Sequence, residues 1–185
     1  MVESIYYEQM EVRRMNICVF AASCDVGEDY AKAVYALGRK LGSEGHTLVY
    51  GAYGGGLMGS IADGFHDAGA RIIGVVPRFL EEKTENYPHL DEIIRTEELS
   101  DRKDKMIAMS DCFIAVPGGI GTLDELFSIL AMKASGRLDG EIILYNALGF
   151  YDGVIACLQE MERGGFLYAK LEDLYRVKTP ETLGL

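Results

Sequence analysis

Short apolar runs alternate along the chain with longer stretches in which apolar and polar positions mix. A continuous apolar run is typical of a parallel strand that is buried on both faces, because such a strand presents no side to water. The runs of this kind are Met15–Ala22, Thr47–Tyr50, Ile72–Val76, Cys112–Val116 and Ile142–Tyr145. These runs predict the buried strands of a sheet.

In the stretches between the runs, apolar side chains recur at the spacing of one helix face. Tyr30, Val34, Leu37 and Leu41 share such a face in the first stretch. The stretches predict helices over about 28–43, 57–68, 102–109, 121–134 and 151–163. Residues 77–88 are polar and irregular, and they form the one long loop that the pattern predicts.

Alternation of strands with helices predicts parallel pairing, because parallel neighbours need a crossover connection. We therefore expect a Rossmann-like, doubly wound α/β fold, a parallel sheet with helices on both faces. Residues 1–14 are expected to be an N-terminal appendage, and residues 15–185 a single Rossmann-like nucleotide-binding domain. Ligands of such sheets lie beyond the carboxyl ends of the strands. The loops expected to carry the chemistry are 23–27, 51–59, 77–89 and 117–122.

Composition narrows the class of protein. The 185 residues are 49% hydrophobic and 25% charged, as in an ordinary soluble globular domain. A net charge of -11 repels phosphate backbones and anionic lipid, so we expect neither nucleic acid nor a membrane as a partner. The chain shows no basic and apolar leader, and its 4 cysteines include no Cys-x-x-Cys pair. We therefore expect reduced thiols and a cytoplasmic location.

The clearest chemical signal is the glycine-rich turn after the strand that ends at Val116. Glycines let the backbone approach a ligand, and the N–H groups of a first helical turn favour an anion. We therefore predict a phosphate cradle. Its residues are Gly118, Gly119, Ile120, Gly121 and Thr122. The plainer alternative is a strand–helix turn with Thr122 as its N-cap. No Gly-Lys-Ser/Thr follows, which excludes a Walker A loop.

Two charged residues near this turn are candidates for catalysis. Glu125 follows the cradle by one helical turn, where a carboxylate is able to stabilise an oxocarbenium-like centre or to orient water. Taken alone, Glu125 fits a first-turn residue that complements the helix dipole better than it fits a catalytic group, and composition does not decide between the two. Arg102 begins a predicted helix with Ser100 as its N-cap, and its guanidinium suits phosphate, ribose or Glu125 as a partner. We interpret the nearby Lys105 as a solvated charge.

A second glycine-rich turn, Gly54–Gly59, follows the strand that ends at Tyr50. It contains Gly-x-Gly-x-x-Gly, but the next strand ends at residues 75–78 without the acid that a dinucleotide site requires. We interpret the turn as a nucleotide-approach loop and do not expect NAD. The histidines are isolated and no Cys/His/Asp cluster has metal spacing, so we expect neither a metal nor another cofactor.

The motif Pro-Gly-Gly-x-Gly-Thr-x-x-Glu at 117–125, with Arg102-Lys103 upstream, resembles the LOG (Lonely Guy) family, long described as possible lysine decarboxylases. The likeness spans roughly residues 15–170. It implies a Rossmann-like, usually dimeric cytokinin riboside 5′-monophosphate phosphoribohydrolase without a cofactor. Such an enzyme hydrolyses the N-glycosidic bond of an adenine-type nucleoside 5′-monophosphate and releases free base and ribose 5-phosphate. By this resemblance Arg102 and Glu125 would be catalytic.

The resemblance also implies nucleotide contacts. Glu85 matches a substrate-binding Glu upstream of the Arg-Lys pair when one gap is allowed. Ser23 lies in the loop after the first strand, and Gly56 belongs to the second glycine-rich turn. The full set of expected phosphate or nucleotide contacts is Gly118, Gly119, Ile120, Gly121, Thr122, Lys103, Glu85, Ser23 and Gly56.

Some positions depart from the family pattern. The family's Met-His-x-Arg-Lys reads Leu99-Ser100-Asp101-Arg102-Lys103 here, so its Met-His is replaced at 99–100, and its Trp-Ala-Gln-Leu-Gly stretch is replaced at 132–136. Its Tyr-Gly-Gly-Gly reads Tyr50-Gly51-Ala52-Tyr53 here, with the glycines displaced. Ala52 and Tyr53 are expected to narrow a loop that glycines keep open. The resemblance therefore supports phosphoribohydrolase chemistry better than it supports a cytokinin substrate.

Two other functions are alternatives to this enzyme activity. One is a non-catalytic carrier of a nucleotide-like ligand such as the molybdenum cofactor. Retention of both Arg102 and Glu125 favours the enzyme, because a carrier needs only the cradle. The other is a decarboxylase, which we reject because Lys103 and Lys105 lie in a charged helix start rather than in a pyridoxal site.

The expected assembly is a homodimer through helices around residues 102–134. This expectation comes from the family likeness and from one apolar segment, whose residues fit an intradomain core equally well. They are Leu126, Phe127, Ile129 and Leu130.

Overall fold

The computed structural model describes residues 13–81, 83 and 85–185. Most of the expected N-terminal appendage, 1–14, therefore lies outside the described residues. The strands are β1 (Asn16–Phe20), β2 (Thr47–Tyr50), β3 (Ile72–Pro77), β4 (Glu92–Thr96), β5 (Cys112–Ala115), β6 (Glu141–Tyr145) and β7 (Arg176–Lys178). The α-helices are α1 (Glu28–Ser43), α2 (Gly56–Asp67), α3 (Arg78–Glu81), α4 (Leu99–Ala108), α5 (Ile120–Ala134), α6 (Asp152–Arg163) and α7 (Leu171–Leu174). Short 3-10 turns span Ala147–Gly149 and Glu181–Leu183.

The described strands form one parallel sheet in the order β4-β3-β2-β1-β5-β6-β7. The chain moves outward from β1 to β4 and then returns to place β5 on the other side of β1. The β1–β5 boundary, where Phe20 is level with Ala115, is therefore the topological switch point. The prediction of a doubly wound, Rossmann-like α/β fold is confirmed.

Both faces of the sheet are buried, as the continuous apolar runs predict. Along β1, Ile17 and Val19 join the core beneath α1 and α2, whereas Cys18 and Phe20 join the core beneath α4, α5 and α6. No described helix is long and apolar enough to cross a membrane.

The apolar segment of α5 is mainly core. Leu126, Ile129 and Leu130 are buried against the sheet, while Phe127 is exposed. Three of the four residues that suggested a dimer contact are therefore engaged within the domain. The apolar segment of α5 is therefore no argument for a dimer interface, and the homodimer stays a prediction.

Other local predictions need correction. The N-cap of α4 is Glu98 rather than Ser100: its side chain accepts a backbone N–H, and the Asp101 side chain accepts the N–H of Glu98 in return. This reciprocal capping box moves the helix start ahead of Arg102. The predicted loop 77–88 contains the short helix α3, and the two edge strands, β4 and β7, lie outside the five predicted apolar runs.

Candidate active site

A cavity of about 770 Å³ opens at the carboxyl edge of the sheet, around the switch point. This volume is within the range of pockets that enclose small-molecule ligands. The described residues that line it are Ala21, Ala22, Ser23, Cys24, Gly51, Tyr53, Met58, Val76, Leu80, Leu99, Ser100, Arg102, Lys103, Gly119, Ile120, Gly121, Thr122, Asp124 and Glu125. The cavity thus joins the loops after β1, β2, β3 and β5, as the fold class predicts.

The turn at 117–122 presents an open helix start to this cavity. Gly119 is the N-cap of α5, and a Cβ added at Gly119 or Gly121 would meet no atom within 4 Å. Ile120, between them, is 89% exposed. Thr122 is buried in the first turn and is not the N-cap, which corrects the alternative interpretation of this residue. The backbone N–H groups at this end of α5 are suited to an anion.

Arg102 and Glu125 meet on the floor of the cavity. Arg102 Nη2 lies 3.9 Å from Glu125 Oε1, and both side chains are mostly buried, with 16% and 18% exposed. The pKa of Glu125 is raised to about 7, mainly by burial of the carboxyl group and to a smaller extent by the Asp124 charge. The nearby Arg102 and Lys103 act in the opposite direction. A carboxyl group with a pKa near neutral pH, placed beside a guanidinium, is typical of catalytic sites.

The end of β2 makes room for the Arg102 side chain. A Cβ on Gly51 would lie 1.9 Å from Arg102 Nη2, so only glycine allows the guanidinium to rest there. Arg102 Nε is buried and has no hydrogen-bond partner among the described residues. The guanidinium therefore lies between Gly51 and Glu125, close to the carboxylate.

Lys103 connects the two helices of the site. Its Nζ donates to the Asp124 carboxylate at 3.0 Å and to Ser128 Oγ at 2.9 Å. These bonds tie α4 to α5, and they employ the ammonium group that the sequence assigns to nucleotide binding. Lys103 still lines the cavity, so its contact with a nucleotide stays a prediction.

The other expected contacts differ in where the structure places them. Ser23 lines the cavity, whereas Glu85, Gly56 and Gly118 are outside the set of described lining residues. Gly118 packs against Thr122, because a Cβ there would be 2.2 Å from Thr122 Oγ1. Gly56 has a φ of +57° and packs against the carbonyl group of Ser23. Glu85 is exposed.

The loop 51–59, which contains the second glycine-rich turn, is packed by side chains and backbone of the same chain. The Tyr53 ring lies on Gly55, where a Cβ would be 2.7 Å from the ring. The Met58 N–H donates to Ala22 O at 3.0 Å, so the start of α2 is partly satisfied within the chain. The Ala22 N–H in turn bonds Pro117 O at 3.3 Å, which links this turn to the cradle.

Sequence reasoning singles out Tyr53 as a residue that narrows its loop, but it missed other residues around the site. Leu80 of α3 and Leu99 of α4 line the cavity beside Tyr53. Tyr151 is fully buried, and its hydroxyl donates to Val116 O at 2.7 Å, just before the cradle. Burial raises the Tyr151 pKa, as does the charge of Glu125. No local pattern marks these residues, because the sheet order alone brings their loops together.

A metal site needs several ligating side chains close together. Among the described residues, no group of three or more His, Cys, Asp and Glu side chains is placed to hold a metal ion. The donor set of the cavity is instead a guanidinium, an ammonium, a hydroxyl and backbone N–H groups, which suits a phosphate ester.

Comparison with known proteins identifies the family. The model of the family described as "Possible lysine decarboxylase" matches residues 58–183. The Arabidopsis thaliana cytokinin riboside 5′-monophosphate phosphoribohydrolase LOG5 is 34% identical over 161 residues, which cover 86% of this chain and 71% of that protein. The Oryza sativa subsp. japonica enzyme of the same description, LOG, is 33% identical, with 89% of this chain and 67% of the relative covered.

Solved structures share the fold. The molybdenum cofactor carrier protein of Chlamydomonas reinhardtii superimposes with a TM-score of 0.67 at 25% identity, over 89% of each chain. The molybdenum cofactor binding protein of Rippkaea orientalis gives 0.66 at 24% identity, over 92% of this chain and 93% of the other. The fold therefore serves both groups, while sequence similarity is higher to the phosphoribohydrolases. Together with the motif at 117–125 and the family match over most of its length, this shows that the chain belongs to the LOG family.

Proposed function

We propose that this protein hydrolyses the N-glycosidic bond of an adenine-type nucleoside 5′-monophosphate and releases free base and ribose 5-phosphate. The observation that carries the proposal is the Arg102–Glu125 pair, 3.9 Å apart on the floor of a cavity whose neighbouring wall is an open helix N-terminus. The names of the relatives support the same reaction class.

The two halves of the site suit the two ends of a phosphosugar. The 5′-phosphate would bind the N–H groups of Gly119, Gly121 and Thr122, where the dipole of α5 favours negative charge. Glu125 lies one turn further along the same helix. This spacing would bring the carboxylate to the sugar when the phosphate occupies the cradle.

The reaction breaks the bond between C1′ and the base nitrogen, and the electron pair leaves with the base. Positive charge then develops on the ribose, where the Glu125 carboxylate stabilises it. A water molecule adds its oxygen to C1′, and its released proton balances the proton that the base gains. Arg102 would hold the phosphosugar and keep Glu125 oriented, because its guanidinium contacts both the end of β2 and the carboxylate.

A carrier function is the competing proposal, favoured by the structural likeness to molybdenum cofactor carrier proteins. A carrier needs the cradle and a shaped wall, but it has no use for a buried carboxyl group that titrates near pH 7. Desolvating such a group is costly, so its presence beside Arg102 supports catalysis.

The decisive experiment is incubation with a panel of nucleoside 5′-monophosphates, followed by detection of free base and ribose 5-phosphate. Matched nucleosides without phosphate serve as the control, and we expect them to react poorly because they cannot use the cradle. Binding of the nucleotides without release of base would favour the carrier.

Substitution of the pair separates binding from chemistry. Glu125→Gln keeps the shape and removes the charge, so we expect kcat to fall on the order of a hundredfold with little change in nucleotide binding. Arg102→Ala should damage both. Full activity of Glu125→Gln would count against the proposed mechanism.

A stability measurement serves as the control for Glu125→Gln. Because the pKa of Glu125 is raised in the folded protein, its ionisation weakens the fold as the pH increases from the ordinary carboxyl range through about 7. The glutamine variant should therefore be at least as stable as the unaltered protein at pH 8. A thermal melt at that pH would show whether lost activity reflects unfolding.

We also propose a homodimer in the cytoplasm, on the basis of the family likeness. Exposed apolar side chains of Leu99, Ile120 and Phe127 lie on the two helices beside the cavity and suit a covered surface. Light scattering in dilute solution tests the assembly, and a monomer mass would exclude the dimer.

A further inference from the structure

The cavity has a polar end and an apolar end. Arg102, Glu125 and the cradle form the polar end, near the carboxyl ends of β5 and β1. On the far side of Arg102, toward the ends of β2 and β3, the lining side chains are mainly apolar or aromatic, with Ser100 as a polar neighbour of Leu99. The apolar and aromatic ones are Tyr53, Met58, Val76, Leu80 and Leu99.

A nucleotide matches the polar and apolar ends of the cavity in only one orientation. With its phosphate on the cradle and its glycosidic bond beside Arg102 and Glu125, the base extends to the apolar end. The exocyclic amine of adenine is carried on the six-membered ring, away from the glycosidic nitrogen. A substituent on that amine would therefore point at the outer apolar wall.

Tyr53 is the aromatic part of that wall, and it is held from two sides. Its ring rests on Gly55, with Tyr53 Cε1, Cζ and Oη all within 2.9 Å of the Cβ position of that glycine. Its backbone is held by a β-bridge to Asn86. The preceding Ala52 is buried, and its carbonyl accepts the Tyr87 N–H at 2.7 Å. Movement of the ring out of the cavity would break its contact with Gly55, while the backbone bonds hold the segment that carries the ring.

We propose that Tyr53 is a specificity-determining residue that closes the base end of the cavity and selects nucleotides whose exocyclic amine carries no bulky group. This inference rests on the proposed function and adds the substrate class: plain adenosine 5′-monophosphate rather than an N6-alkylated form. A fixed aromatic ring rejects extra bulk by steric exclusion, since packed walls do not yield to added methylene groups without cost.

The test compares kcat/KM for adenosine 5′-monophosphate and for its N6-isopentenyl derivative. We expect the unaltered protein to prefer the plain nucleotide at least tenfold. Tyr53→Ala should move this ratio at least tenfold toward the alkylated nucleotide, while Tyr53→Phe, which keeps the ring, should leave it unchanged. Tyr168→Ala is the matched control, because this tyrosine is 83% exposed and lies outside the cavity lining.

The outcomes separate this inference from the proposed function. Cleavage of adenosine 5′-monophosphate with the same ratio in Tyr53→Ala overturns the role of Tyr53 and leaves the function standing. An unaltered protein that prefers the alkylated nucleotide overturns it even where Tyr53→Ala fails to fold. If neither nucleotide is cleaved, the proposed function fails. The same ratio is then measured as dissociation constants by calorimetry, and binding of neither nucleotide overturns both.

Discussion

Two glycine-rich turns follow neighbouring regions of the sheet, and they are used in opposite ways. The turn at 51–59 after β2 is packed from within: its glycines lie against Arg102, Tyr53 and the backbone of Gly54. The turn at 117–122 after β5 leaves Gly119 and Gly121 facing open space. Similar composition therefore serves internal close packing in one turn and an open surface in the other.

The difference shows what a glycine pattern does and does not reveal. The absence of a Cβ permits a close approach, but the approaching group belongs to the protein at some positions and to a ligand at others. In the first turn it is a side chain or a carbonyl group of the same chain. In the second, the open space is what supports the proposed phosphate cradle.

Among substitutions in the packed turn, Gly51→Ala is expected to have the largest effect. A methyl group there would lie 1.9 Å from Arg102 Nη2, so the guanidinium must leave its present position beside Glu125. We expect kcat for nucleotide cleavage to fall on the order of a hundredfold. Steady-state kinetics of the single and double variants would check this: Arg102→Ala should add little further loss in the Gly51→Ala background. Additive losses would show that Gly51 acts independently of Arg102.

Gly59→Ala tests the packed turn through stability. Its Cβ would lie 2.2 Å from Gly54 O, a backbone atom that cannot rotate away. We expect the free energy of unfolding to fall by about 2 kcal/mol, as for other overpacked sites. Urea denaturation measures the change, and an unaltered midpoint would contradict the packing argument.

Gly121→Ala tests the open turn through binding. The added methyl group meets no protein atom within 4 Å, so the melting temperature should not fall. It would, however, occupy space that a phosphate needs, and we expect nucleotide affinity to weaken about tenfold, or about 1.4 kcal/mol. Calorimetric titration with adenosine 5′-monophosphate provides the measurement. Unchanged affinity would place the phosphate elsewhere.

The pH dependence of activity tests the open turn as well, because Glu125 lies in the helix that begins there. With the pKa of Glu125 at about 7, the ionised fraction increases about tenfold between pH 6 and pH 8. We expect kcat/KM to rise by about that factor over this interval, since the carboxylate is the active form. The residual rate of Glu125→Gln should not show this rise, and a profile shared by both proteins would assign the titration to another group.

The smallest effect concerns Ala52, which adopts a φ of +68° in the packed turn. This left-handed conformation is unfavourable for alanine and accessible to glycine. We expect Ala52→Gly to raise the free energy of unfolding by less than about 1 kcal/mol, because glycine also loses more entropy on folding. A thermal melt is the measurement, and a marked loss of stability would show that the Ala52 methyl group is needed for packing.

The parts of the fold that the sequence predicts are those with local signals. Buried parallel strands appear as continuous apolar runs, and the cradle is contiguous from Val116 to Glu125. Edge strand β7 has only three residues and polar neighbours, so it gives no such signal. An apolar helix face such as that of α5 does not distinguish a core from an interface until its neighbours are known.

The candidate site divides in the same way. Glu125 and the cradle can be predicted from the sequence because they belong to one short segment. Tyr53 and Leu80 become neighbours of that segment only through the strand order β3-β2-β1-β5. Their contribution to the cavity is a consequence of topology, which no short motif contains.

This division has a consequence for how such proteins diversify. Arg102, the cradle and Glu125 all lie within the contiguous unit α4–β5–α5, residues 99–134. The side chains that wall the base end come mainly from segments earlier in the chain. A lineage can therefore exchange its substrate by altering these earlier segments while the reaction is inherited intact. It can equally abandon the reaction through changes at positions 102 and 125 and keep a working receptor.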